Sequence, residues 1–161
     1  MAKRSQPRRS APPSPGVGHG EYVVYPGTRA EVYDLLERLS AAAGDDPDSG
    51  TTGLSLDRTR VTVRWFGEPP DRVRRVVEAA PAGLTVTVVP TEFRPGELRA
   101  EAARLRAGHP DVVAAATARP EGDGIEVLVP PAVAEAAGGA GQALAGVASA
   151  FPLFAEVGEA G

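Results

Sequence analysis

The stretch RVTVRWFGEPPDRVRRVVEAAPAGLTVTVV, residues 60–89, decides the fold of this chain. Its first six residues alternate polar and apolar side chains, with Val61, Val63 and Trp65 on one side, which is the period of a half-buried strand. The GEPP sequence that follows ends the strand, and its prolines suit the first turn of a helix, where a missing N–H costs nothing. After that helix, LTVTVVP predicts a second strand. Strand, helix and strand within about 30 residues are typical of a βαβ unit.

A second stretch, IEVLVPPAVAEAAGGAGQALAGVASAFPLFAEV at residues 125–157, has the same order of features. It reads as a strand, two prolines, a Val/Ala-rich helix, a break and a strand. An internal βαβ repeat is one interpretation; the other is that Ala-rich segments always resemble one another, and the sequence leaves both open. The glycines Gly138, Gly139 and Gly141 each weaken the predicted helix by about 1 kcal/mol relative to Ala.

Two further helices and two hairpins are predicted around these units. The segment GTRAEVYDLLERLSAAAG, residues 27–44, has a capping box of Thr28 and Glu31 and an apolar stripe at helical spacing. RPGELRAEAARLRAG predicts a second helix with Leu98, Ala102 and Leu105 inward. LSLDRTRVTVRWF and VVAAATARPEGDGIEVLV predict hairpins, because alternating runs flank a turn sequence.

These elements predict an α/β (α+β) fold: a single small domain over residues 25–160, with a mixed β-sheet and helices packed mainly on one face. The length of 161 residues suits one domain, and the apolar 42% consists mostly of Ala and Val, so we expect a thin core. Residues 1–24 are rich in Pro, Ser, Gly and Arg without apolar periodicity, so we expect a disordered basic arm there.

Charge and composition exclude several classes of function. The net charge is −4, and the first 20 residues contribute +4, so the remainder carries −8. An acidic body argues against a nucleic-acid-binding domain. The absence of Cys excludes disulfides and thiolate zinc sites. The sequence has no apolar run of the roughly 20 residues that span a bilayer and no secretory signal, so we expect a cytoplasmic protein. The arm's cations are Lys3, Arg4, Arg8 and Arg9.

Catalytic and metal sites are not indicated by the polar residues. A Ser/His/Asp triad needs His as base, but His19 falls in the arm and His109 in a helix-ending AGHPD sequence, so we expect a solvated or capping role for the latter. The DDPDSG loop, tested as a calcium loop from Asp46, fails because its sixth position is Thr51 and its twelfth is Asp57. We therefore expect a solvated acidic loop.

Cofactor binding is not predicted either. Gly139, Gly141 and Gly146 do not form the G-x-G-x-x-G pattern of a dinucleotide loop, because position 144 is Leu. Glu97 and Glu101 lie four residues apart among arginines, which predicts an exposed ion-pair face. For the only Trp, we expect a core anchor at the edge of the sheet rather than a ligand-stacking role.

The region 54–130 resembles a domain of actinobacterial proteins that often precedes trypsin-like serine protease domains and also occurs in standalone proteins. That family usually has a Trp, a Lys and a Gly in succession, with a Pro nearby. In this sequence Phe66 stands at the Lys position. The residues that carry the resemblance are LSLDRTRVTVRWFGEPP, VRRVVEAAPAGLTVTVVP, GELRAEAARL and ARPEGDGIEVLV.

The resemblance implies a fold similar in outline to the pro-regions of secreted bacterial proteases, which offer a sheet edge to the enzyme. The sequence contains neither a protease domain nor a signal peptide, so we expect a standalone role. The leading hypothesis is a non-enzymatic module that binds a protein partner through a sheet edge, without cofactor or metal. Two alternatives are an accessory protein whose basic arm binds nucleic acid, and a small enzyme whose site is not recognised.

Overall fold

The computed structural model describes residues 30–161. The expected basic arm, residues 1–24, and Thr28 of the predicted capping box lie outside this range. Five helices and six strands make up the described part of the chain. In chain order they are α1 (Ala30–Ala43), β1 (Gly53–Leu54), β2 (Arg60–Trp65), α2 (Asp71–Glu78), β3 (Thr85–Pro90), α3 (Pro95–Gly108), β4 (Ala115–Ala118), β5 (Ile125–Val129), α4 (Pro131–Ala137), α5 (Ala140–Ala143) and β6 (Leu153–Val157).

The strands form two sheets, and this corrects the expectation of one. The α+β class is confirmed, but the strand orders are β1-β2-β3 and β4-β5-β6, with three strands each. In each sheet the first pair is antiparallel and the second is parallel. The physical reason is that each half supplies its own helices, which cover one face of its own sheet and complete a separate hydrophobic core.

The predicted repeat is present and is longer than the sequence indicated. The order helix, strand, strand, helix, strand occurs twice, over residues 30–90 and 95–157. Both βαβ crossovers return to pair in parallel beside the strand they left. The second crossover is split because Gly138 and Gly139, with φ of 90° and 142°, end α4 before α5 begins.

The first core confirms that Trp65 is a core anchor, but it corrects the expected place at the edge of the sheet, because β2 is the central strand. Alternate residues of β2 are buried, and the indole is 2% exposed among the helices α1 and α2. The prolines differ from the expectation by one position, since Pro70 is the N-cap residue and α2 begins at Asp71. The fully or nearly fully buried members of this core are Val32, Leu35, Leu39, Val61, Val63, Trp65 and Val73.

The second core repeats this arrangement with β5 at its centre. Ile125, Val127 and Val129 are fully buried against α3, as the predicted alternation requires. On α3, Leu98, Ala102 and Leu105 are buried as the sequence indicated, and Pro95 is buried as well. Among residues 30–161, no helix combines the length and apolar character needed to cross a membrane.

Candidate interaction surface

The outer edge of β3 is an uncharged edge of its sheet in the described part of the chain. The strand ends its sheet, with β2 on one side and no strand from residues 30–161 on the other. The N–H of Thr85 donates to the Thr59 carbonyl at 2.8 Å, and the N–H of Thr91 donates to the Trp65 carbonyl at 3.1 Å, both towards β2. Because backbone groups alternate along a strand, Val86 and Val88 direct their N–H and C=O groups away from β2.

Pro90 fits this pattern as an edge residue. Its position is the next one after Val88 to face outward, so its missing N–H removes no bond to β2. At the other end of the strand, the outward-facing Leu84 uses its N–H within the turn, donating to the Pro81 carbonyl at 3.2 Å. The outer edge of β3 therefore offers two backbone donors, those of Val86 and Val88, between two residues that offer none.

The side chains of this edge are apolar or hydroxylic throughout. The register places Val86 and Val88 on the helix-covered face with Val61 and Val63 of β2. Val88 and Val89 are each 37% exposed, which is high for large apolar residues. Natural sheets usually protect edge strands with charge, and none is present from residue 84 to residue 90. An exposed, uncharged and β-branched edge is a template for another strand.

The equivalent edge in the second half, on β6, is protected by charge. Gly158 donates to the Val129 carbonyl at 2.9 Å, so the backbone groups of Leu153, Ala155 and Val157 point outward. The strand itself contains Glu156, and the guanidinium of Arg119 lies 3.9 Å above the centre of the Phe154 ring. Phe154 and Val157 are 37% and 56% exposed, so the two edges differ in charge and not in apolar exposure, although their topology is the same.

The uncovered faces of the two sheets differ in charge as well. In the first sheet, Arg60 and Arg64 of β2 share this face with threonines of β2 and β3. In the second sheet, Glu126 of β5 and Glu156 of β6 lie on the corresponding face. A segment that binds beside β3 therefore approaches a basic surface, whereas one beside β6 approaches a face that carries Glu126 and Glu156 together with the guanidinium of Arg119.

Two aspartates of the acidic loop, Asp46 and Asp48, are ion-paired and partly buried, whereas the sequence predicted a solvated loop. Asp46 accepts hydrogen bonds from the N–H of Asp48 and from Arg72, and the pKa of Asp46 is lowered, mainly by that backbone N–H. Asp48 accepts from Nε of Arg94 at 2.6 Å. Within residues 30–161, no group of three or more His, Cys, Asp or Glu side chains is placed to hold a metal ion.

Asp57, which stands at the twelfth position of the rejected calcium-loop alignment, stabilises the turn between β1 and β2. Its carboxylate accepts from the Ser55 hydroxyl at 2.6 Å and from the Thr59 hydroxyl at 2.7 Å. These hydrogen bonds, with that of the Ser55 hydroxyl the largest, lower the pKa of Asp57 to about 2. The carboxylate of Asp57 therefore has a structural role in this turn.

The other residues considered as catalytic or cofactor-binding candidates have structural roles, where they fall within residues 30–161. His109 follows α3, and its N–H donates to the Leu105 carbonyl at 3.0 Å, which closes the helix. His19 lies outside the described residues. Gly139, Gly141 and Gly146 follow α4 instead of joining β5 to a helix, so they do not occupy the place of a dinucleotide loop.

The ion pairs on α3 are only partly those expected. Glu97 pairs with Arg94 and is exposed, but the side chain of Glu101 is only 12% exposed. The Glu101 carboxylate accepts from Arg104 and from the Ser149 hydroxyl, at 2.6 Å in each case. Arg104 is the largest cause that lowers the pKa of Glu101 to about 2. Glu101 therefore links α3 to the segment before β6.

A groove of about 620 Å³ runs along α1, lined by apolar and acidic side chains. It contains none of the residues that the sequence analysis considered as catalytic, metal or cofactor candidates. The lining residues are Tyr33, Asp34, Leu36, Glu37, Ser40, Leu54 and Arg58.

Comparison with known proteins does not assign the chain to a family. No protein-family model matches the chain, and no curated protein shows significant similarity to it.

Proposed function

We propose that this chain is a non-enzymatic protein-interaction module, which binds an extended segment of a protein partner as an additional strand on β3. The observation that carries the proposal is the outward direction of the Val86 and Val88 backbone groups on an uncharged, exposed edge. Main-chain hydrogen bonds provide affinity in this binding mode, and alternate side chains provide selectivity. The resemblance to protease-associated domains that offer a sheet edge supports the same interpretation.

The geometry of the edge defines the chemistry of the partner segment. On the helix-covered face, Val86 and Val88 favour apolar side chains in the segment. On the open face, Arg60 and Arg64 lie one strand further in, at roughly 10 Å from the new strand, given a spacing of about 4.8 Å between strands. A segment that alternates apolar with acidic or hydroxylic residues fits both faces.

Selection of peptides from a random ten-residue display library on the immobilised full chain tests the proposal. The critical variant is Val88→Pro, which removes an outward N–H and leaves the hydrogen bonds to β2 in place. The matched control is Val157→Pro, which makes the same change on the outer edge of β6. Circular dichroism and the fluorescence of the single buried Trp65 check that both variants fold.

The selected peptides should bind Val88→Pro at least about tenfold more weakly than wild type, since one hydrogen bond and the steric fit of a strand are lost. Their affinity for Val157→Pro should equal that for wild type. Retention of affinity by a folded Val88→Pro variant would place the binding elsewhere and refute the proposal.

A further inference from the structure

We infer that the strand accepted by β3 is β3 of a second copy of this chain, paired antiparallel about a two-fold axis at Thr87. This inference rests on the proposed function, because it identifies the partner of the same edge. The result is a symmetric dimer with a continuous six-stranded sheet, in which β3 of each copy lies at the centre.

The pattern of outward backbone groups is symmetric about Thr87. Moving outward from that residue, Val86 and Val88 each offer an N–H, while the next outward residues, Leu84 and Pro90, offer none. In an antiparallel pair centred on Thr87, Val86 faces Val88 of the second copy, and the two exchange both hydrogen bonds. Leu84 then faces Pro90 of the second copy. Because Leu84 uses its N–H within the turn and Pro90 has none, no N–H is left unpaired at this position.

The side chains match under the same symmetry. Thr87 faces Thr87 of the second copy across the axis, and Thr85 faces Val89; Thr–Thr pairs are favourable cross-strand neighbours. Val88 and Val89, each 37% exposed in the single chain, lose solvent contact in this arrangement. The strand carries no charge, so no like charges meet at the axis.

The nearby arginines do not oppose this pairing. Arg60 and Arg64 stand on β2, and the β2 strands of the two copies are separated by three strand spacings, about 14 Å. That distance exceeds the Debye length of about 8 Å at physiological ionic strength, so repulsion between the two sets of arginines is largely screened.

A two-fold axis at Ala155, the middle residue of β6, is unfavourable, in contrast to the axis at Thr87 of β3. The outward groups of β6 are centred on Ala155, so Glu156 would face Phe154 of the second copy. The two Glu156 residues would then be diagonal neighbours on the paired strands, about 7–8 Å apart, with like charges.

Sedimentation equilibrium of the full chain, from about 1 μM to about 500 μM, tests the dimer. The monomer has a mass of 16.6 kDa, and we expect the wild type to reach twice that mass in this range. Val88→Pro should remain monomeric, or dimerise at least about tenfold more weakly, while Val157→Pro should dimerise like wild type. A chain that lacks residues 1–25 should dimerise like the full chain, because the proposed pairing joins β3 to β3.

Three results would overturn the inference. A wild type that stays monomeric at 500 μM (roughly the top of the range) has no self-pairing edge. A Val88→Pro variant that dimerises like wild type uses another surface. Dimerisation that appears only after residues 1–25 are removed identifies the chain's own first residues as the occupant. In each case, the proposed function stands if peptide binding still depends on Val88. If peptide binding does not depend on Val88, both the proposed function and the dimer are refuted.

Discussion

The contact between the two halves makes a sharp prediction at Gly96, near the start of α3. The Gly96 N–H donates to the Pro47 carbonyl at 2.7 Å, and a Cβ at position 96 would lie 2.7 Å from Cβ and 2.9 Å from Cα of Pro47. The loop cannot move aside cheaply, because Asp46 and Asp48 on either side of Pro47 are paired with Arg72 and Arg94. Gly96→Ala should therefore destabilise the protein although Ala is the better helix former.

The magnitude follows from opposing terms. Replacing Gly by Ala in a helix gains up to about 1 kcal/mol. Overpacking against the loop costs about 1–3 kcal/mol, and weakening the Gly96–Pro47 hydrogen bond costs about 1 kcal/mol more. We expect Gly96→Ala to lower the free energy of unfolding by about 1–3 kcal/mol.

Gly108, the last residue of the same helix, supplies the matched control. A Cβ there would meet no atom within 4 Å, so Gly108→Ala should be neutral or stabilising by up to about 1 kcal/mol. Urea unfolding of both variants, followed by circular dichroism and by Trp65 fluorescence, measures the difference. Equal stability of the two variants would show that the loop does not rest on α3, and would refute the described junction.

Two further predictions concern other parts of the molecule. The folded pKa of Glu101, about 2, lies below its usual 4.5, so the stability it contributes is present above about pH 5 and is lost as the pH falls towards 2. Glu101→Gln should lower the free energy of unfolding by about 2 kcal/mol at pH 7, with the gap to wild type closing in acid; a gap independent of pH would contradict the assigned ion pair. Removal of residues 1–20 should leave the affinity of β3-selected peptides unchanged in a fluorescence titration, and a large loss would assign the binding to the arm instead.

Local periodicity was sufficient to predict most elements. The alternation of Val61, Val63 and Trp65 predicted β2, and the leucine spacing predicted α3 with its inward residues. The prolines at the starts of α2 and α4 suggested a shared plan for two βαβ units, which the sequence left open and the structure shows. Each of these patterns involves residues close together in the sequence, within or beside one helix or strand. They can therefore be recognised from the sequence alone.

Features that depend on long-range contacts could not be predicted in the same way. The sequence did not show that the strands divide into two sheets, because that depends on which helices cover which face. It also did not show that Glu101 meets Ser149, 48 residues later. One signal for the open edge was available: Pro90 ends a run of β-branched residues, and a proline within a strand indicates an edge.

Amide hydrogen exchange at four consecutive residues of β3 tests the central claim most directly. In dilute monomer, the outward N–H groups of Val86 and Val88 should exchange quickly, while those of Thr87 and Val89, bonded to β2, should exchange slowly. Adding a selected peptide, or raising the protein concentration into the dimer range, should slow Val86 and Val88 to the rate of their neighbours. Slow exchange at both valines in the dilute monomer, or no change on binding, would contradict the account of an open edge that accepts a partner strand.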